Sequence, residues 1–97
     1  MTVRPKFKLS VLRDIGWSKW DPIGVGGPDH GWPADEYDDY LLNAAGQLWD
    51  GRSDEEVAGY LVKMETENMG LDTFPGIRLR ALEVASTMRR YVEKLRT

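Results

Sequence analysis

Apolar positions recur along most of this chain with the period of a helix. From Asp35 to Trp49, residues Tyr37, Tyr40, Leu41, Ala44, Ala45 and Leu48 fall at i, i+3, i+4, i+7, i+8 and i+11, the stripe of a helix with one buried face. Pro33 stands where the first turn should begin. Asp35, Glu36 and Asp38 occupy that turn, where carboxylates favour the unpaired amides. Asp50-Gly51 closes the helix.

Ser53-Asp54-Glu55-Glu56 reads as an N-cap with a Glu three residues on, the capping box of a following helix. Its expected core residues are Val57, Tyr60, Leu61 and Met64. Asn68-Met69-Gly70-Leu71 reads as its end, with Gly70 left-handed and Leu71 folding back on the last turn. So short a connection makes the two helices antiparallel neighbours.

Asp72-Thr73-Phe74-Pro75 breaks the pattern. A long final helix is expected from about Pro75 to Leu95, with Ala81, Val84, Ala85, Met88, Tyr91, Val92 and Leu95 forming its apolar stripe and Arg78, Arg89 and Arg96 towards the other side. A weaker first helix covers about Leu9 to Lys19, with Leu12, Ile15 and Trp20 facing in. No segment alternates with period 2 for long enough to be a strand. The expected fold is all-α: a small four-helix domain spanning residues 1–97, with a long Gly/Pro-rich loop between helices 1 and 2.

That loop, Trp20 to Pro33, has seven Gly or Pro in fourteen positions and cannot be helical. Long loops without secondary structure are uncommon in compact domains and are often functional. Trp20 and Trp32 bracket this one, and a bulky apolar side chain at each end would pin it to the core. Asp21-Pro22 favours turn initiation. Trp20, Asp21, Pro22, Gly24 and Tyr37 are therefore expected to structure the loop, with Trp20 packing on Tyr37 to bring its two ends together.

Composition adds limits. There are 97 residues and no cysteine, which removes disulfides and thiolate chemistry and suits a reducing compartment. The basic N-terminus lacks the apolar run of a secretory signal, and no apolar stretch approaches the roughly 18 residues that span a bilayer. A cytoplasmic protein with no membrane partner is expected. The formal charge of −3 conceals a segregation: residues 21–56 carry ten acids and one base, while residues 1–20 carry five bases and one acid and residues 75–97 carry six bases and two acids. Either the basic last helix pairs with the acidic middle of its own chain, or copies associate head to tail.

Candidate chemistry is sparse. Gly24-Val25-Gly26-Gly27-Pro28 has neither a dinucleotide fingerprint nor a P-loop, so no nucleotide or other cofactor is expected. His30 is the only histidine; Asp29, His30 and Asp35, joined by Asp21, would make at best a weak divalent-metal or small-ligand site, and one histidine without cysteine is a poor zinc site. No serine has a nucleophile-elbow context, and no catalytic residue is assigned. Arg78, Arg80, Arg89, Arg90 and Lys94 could form a basic face for nucleic acid, against which the overall charge argues. Asp29, Asp35, Glu36, Asp38 and Asp39 form a broad acidic patch better suited to a basic protein partner than to one metal ion. The leading expectation is a non-enzymatic interaction module; the alternative is a small-ligand or metal-binding protein using loop 21–36.

Trp20-Asp21-Pro22-Ile23-Gly24, then Asp35-Glu36-Tyr37-Asp38 at a helix head, then a Ser-Asp-Glu-Glu cap leading to Met69-Gly70-Leu71 resemble a group of small bacterial proteins that carry a W-D-P-x-G loop and a D-E-Y-D helix start, described as a domain of unknown function. The resemblance covers about residues 9–72. It implies an all-α bacterial cytoplasmic fold and supplies no catalytic residues. By analogy alone, small acidic proteins of this kind include immunity partners of toxins and adaptors.

Overall fold

The computed structural model describes residues 5–24 and 33–96. Val25 to Trp32, including the candidate ligands Asp29 and His30, lie outside the described residues. The described residues form four α-helices: α1 (Leu9–Ile15), α2 (Asp38–Trp49), α3 (Asp54–Lys63) and α4 (Ile77–Leu95). No strand occurs among the described residues, and no helix there is long and apolar enough to cross a membrane.

Two helices continue into a wider winding that periodicity did not foretell. After α1, Gly16–Trp20 forms a π-type turn, closed by the Asp21 amide donating to the Gly16 carbonyl at 2.8 Å. After α3, Met64–Asn68 does the same, closed by the Met69 amide on the Met64 carbonyl at 2.9 Å. Such turns are rare and concentrate at sites under constraint. Gly70 then takes the left-handed conformation expected of it, at φ 69°, and the Leu71 amide reaches back to the Glu65 carbonyl at 3.1 Å.

The helix boundaries shift in two places. Helix 2 begins at Asp38 rather than Asp35, because Ala34–Tyr37 forms a hydrogen-bonded turn in which the Glu36 amide meets the Pro33 carbonyl and the Asp38 amide meets the Asp35 carbonyl. Asp38 and Asp39, not Asp35, therefore carry charge at the start of α2. The last helix begins at Ile77, since Gly76 stands before it at φ 90°, outside helical space.

The α2–α3 connection follows the expected chemistry closely. Gly51 is left-handed at φ 98°, the Arg52 amide donates to the Gln47 carbonyl and the Gly51 amide to the Leu48 carbonyl, which together form a Schellman stop. Ser53 then caps α3: its hydroxyl accepts the Glu56 amide and the Glu56 carboxylate accepts the Ser53 amide, both at 3.1 Å. That amide and the Arg52 guanidinium hold the Glu56 carboxyl below its ordinary range.

One apolar core joins all four helices. Leu12, Leu41, Leu61 and Met88 are fully enclosed, together with Trp20 and Tyr37 from the two ends of the loop. Tyr40, Tyr60 and Met64, expected inside, are only half-buried. Alanines make close helix approach possible at Ala44, Ala45, Ala58, Ala81 and Ala85. Gly16 serves the same end: a Cβ there would stand 2.6 Å from Leu41 Cδ1, so any side chain at 16 requires Leu41 to shift.

Candidate functional site

The loop end of the bundle is built around Tyr37. Its ring packs on Trp17 and Trp20 with centroids 4.7 Å and 5.4 Å away, and Trp20 also meets Tyr40 edge-on at 6.0 Å. The Tyr37 hydroxyl donates to the Asp21 carboxylate at 3.0 Å and accepts the Ile23 amide at 3.2 Å. The Trp17 indole N–H donates to the Ala34 carbonyl at 3.0 Å. Asp21 has φ 34°, the one positive value outside glycine among the described residues, a conformation Asp tolerates better than most. Gly24 turns the chain at φ 77°, its amide on the Asp21 carbonyl.

Trp20, Asp21 and Tyr37 thus meet one another where the loop leaves and rejoins the bundle. That the Tyr37 phenol would meet Asp21 across the loop had no signal in the sequence. Burial first, then the nearby carboxylate of Asp21, keeps the Tyr37 hydroxyl neutral well above its ordinary range, with the Ile23 amide opposing.

Two sets of acidic residues bear on the site: those paired within the chain and those grouped at the head of α2. Asp38 is engaged within the chain by Arg13, whose Nε and Nη2 donate to its two oxygens at 3.0 Å and 2.7 Å. This is a two-pronged, charge-assisted pair joining α1 to α2. Asp54 pairs with Arg89, Glu65 with Arg80, Glu83 with Lys19 at 3.3 Å, and Glu56 with Arg52 at 2.9 Å. Glu65 is nearly sealed from solvent, and Arg80 in turn lies over the Phe74 ring at 4.8 Å. Asp35, Glu36 and Asp39 form the second set. They are exposed on neighbouring turns at the head of α2, and none has an ion pair among the described residues.

The last helix also departs from the expected arrangement. Arg78, Arg89 and Arg96 do not face away from the bundle; they border the buried stripe and reach across to backbone carbonyls. Arg78 donates to Glu55, Arg89 to Arg52 and Arg96 to Trp49, with the Arg96 guanidinium stacked 4.2 Å over the Trp49 ring. Arg89 meets Asp54, an acid of the 21–56 segment, while Arg80 meets Glu65, which lies beyond it. Of the basic face proposed for nucleic acid, Arg80 and Arg89 are engaged by carboxylates, whereas Arg78, Arg90 and Lys94 are exposed.

Among the described residues no three His, Cys, Asp or Glu converge to hold a metal. One surface feature had no clear signal in the sequence: a groove of about 760 Å³ between α1 and α4, floored by Val11, Ile15 and Tyr91 and edged by Arg90, Glu93 and Lys94. Tyr91 was readable as a core position. Its hydroxyl instead accepts the Lys8 amide at 2.7 Å, holding the chain before α1 along the groove.

Comparison with family models, with curated proteins and with solved structures finds no match to this chain.

Proposed function

We propose that this protein is a non-enzymatic interaction module that offers the head of α2, with the loop leading into it, to a basic protein partner. The observation that carries this reading is the division of the acids. Asp38 serves Arg13, whereas Asp35 and Glu36, on a turn tied by the Trp17–Ala34 and Tyr37–Asp21 hydrogen bonds, and Asp39, in the first turn of α2, are exposed. Carboxylates fixed on a rigid turn lose little freedom on binding, and they steer a basic partner at long range. Asp29 belongs to the same acidic segment. A cytoplasmic location in a bacterial cell, kinship with the W-D-P-x-G group and an adaptor- or immunity-like role complete the reading, supported by the cysteine-free composition and the two ordered motifs.

The test is affinity purification from the native host with Asp35→Lys plus Asp39→Lys beside the unaltered chain. Loss of a basic partner, with an affinity that falls as salt rises, is expected. Retention of every partner by the double variant would remove this surface from consideration. Asp38→Lys is avoided because it breaks the Arg13 pair.

A further inference from the structure

Among the described residues two tryptophans are half-buried, one beside each end of α2. Trp49, the last residue of that helix, carries the Arg96 guanidinium 4.2 Å over its ring. This is the stacking by which a flat, weakly hydrated cation meets the electron-rich face of an indole. Trp17, beside the first end, has no cation over it among the described residues.

Trp17 is held from two directions. Its ring packs on Tyr37 at 4.7 Å, tilted by 43°, and its indole N–H donates to the Ala34 carbonyl at 3.0 Å. That bond ties it to the residue just before Asp35 and Glu36, both exposed. The three rings gathered there differ in one respect: Trp20 and Tyr37 are sealed in the core, whereas Trp17 reaches solvent. The bases flanking it in sequence are engaged elsewhere. Arg13 grips Asp38 with both prongs and also feels the charge of Asp35, and Lys19 pairs with Glu83 at 3.3 Å. Glu36 is in no ion pair among the described residues.

We propose that Trp17 is the anchor of the acidic surface, taking an arginine side chain of the basic partner against its ring while Glu36, with Asp35 beside it, supplies the opposing charge. This rests on the reading that the acidic turn meets a basic protein, and it narrows that partner to one presenting arginine rather than lysine. An ammonium is compact and strongly hydrated; a guanidinium is planar and gives up its water more readily. A ring already fixed by packing and by its own N–H loses little freedom when it is covered. Tryptophan and arginine are also the side chains that most often carry the energy of an interface.

The test uses the full chain, isotope-labelled, with hexa-arginine and hexa-lysine peptides as probes. In an NMR titration the Trp17 indole N–H resonance, assigned by its Overhauser contact with Ala34, is expected to move with hexa-arginine while that of sealed Trp20 stays. By fluorescence anisotropy of labelled peptides, hexa-arginine is expected to bind about threefold or more tighter than hexa-lysine, and Trp17→Leu to bind the two alike. Losing the Ala34 tie would weaken both peptides equally, so the ratio reads the ring. Circular dichroism melts establish whether Trp17→Leu folds; if it does not, the titration of the unaltered chain decides alone. An unmoved Trp17 resonance with hexa-arginine bound, or an arginine preference that survives in Trp17→Leu, overturns the anchor, and the acidic surface still stands where Asp35→Lys plus Asp39→Lys abolishes binding. No binding of either peptide, or binding indifferent to that double variant, removes the surface and the anchor together.

Discussion

The two ends of α2, about 18 Å apart, hold their connections by different physics. At the Asp38 end, the loop is closed by rings: Trp17, Trp20 and Tyr37 pack together, and the single phenolic hydroxyl inside them meets both a carboxylate and an amide. At the Trp49 end, the turn into α3 is closed by charge, with Arg89 and Arg96 reaching from α4 to the carbonyls of Arg52 and Trp49. Buried rings carry no charge for salt to screen, and their contribution grows with the apolar area removed from water. Guanidinium contacts at half-exposed positions are screened and individually modest. The first end is therefore expected to govern whether the chain folds, and the second to govern how firmly the last helix stays docked.

Substitutions can break this contrast. The largest effect is expected from Trp20→Ala, which empties a fully buried site; a loss of about 3–5 kcal/mol in urea denaturation follows from lost transfer energy plus the cavity, and a loss below 1 kcal/mol would show that the rings are not the anchor. Next comes Gly16→Ala, whose methyl must displace the enclosed Leu41 side chain at a cost of about 1–3 kcal/mol by the same measurement. Tyr37→Phe leaves the Asp21 carboxylate and the Ile23 amide without their shared hydroxyl and is expected to cost about 1–2 kcal/mol at neutral pH.

The same variant carries a pH signature. Below a pH of about 10 the phenol is neutral in both folded and unfolded chains, so its contribution is complete. As pH rises further the unfolded chain ionises while the folded one, held neutral by burial, does not, and stability falls. Tyr37→Phe should lessen that alkaline decline, as seen in denaturation midpoints measured from about pH 8 to about pH 11. The smallest effect is expected from Arg96→Ala, about 0.5–1 kcal/mol through its stacking on Trp49. That difference should shrink as salt is raised, whereas the Trp20→Ala difference should not.

The apolar spacing of α2, the Ser53 capping box, Gly51 and Gly70 were legible because each acts within a few residues of itself. The meeting of Trp20 with Tyr37 was legible for another reason: two large rings at the ends of one loop have few other places to go. Arg13–Asp38 and Arg89–Asp54 were not legible, since 25 and 35 residues separate the partners and a charge count along the chain does not say which helix faces which. The α1–α4 groove escaped for the same reason. Tyr91 read as part of the core stripe of the last helix, and only the meeting of α1 with α4 sets Val11 and Ile15 beside it.

The π-type turn at Gly16–Trp20 acts as a change of phase. With ordinary winding, Trp20 would leave the helix about 140° away from Ile15; a turn that joins each residue to the fifth beyond it brings Trp20 back over Ile15 and into the core. One residue more or fewer in this stretch would rotate the indole off Tyr37 and release the loop at its root. Insertions and deletions between positions 16 and 20 are thus a different class of change from those further along the loop: the former alter the angle at which the loop departs, the latter only its length.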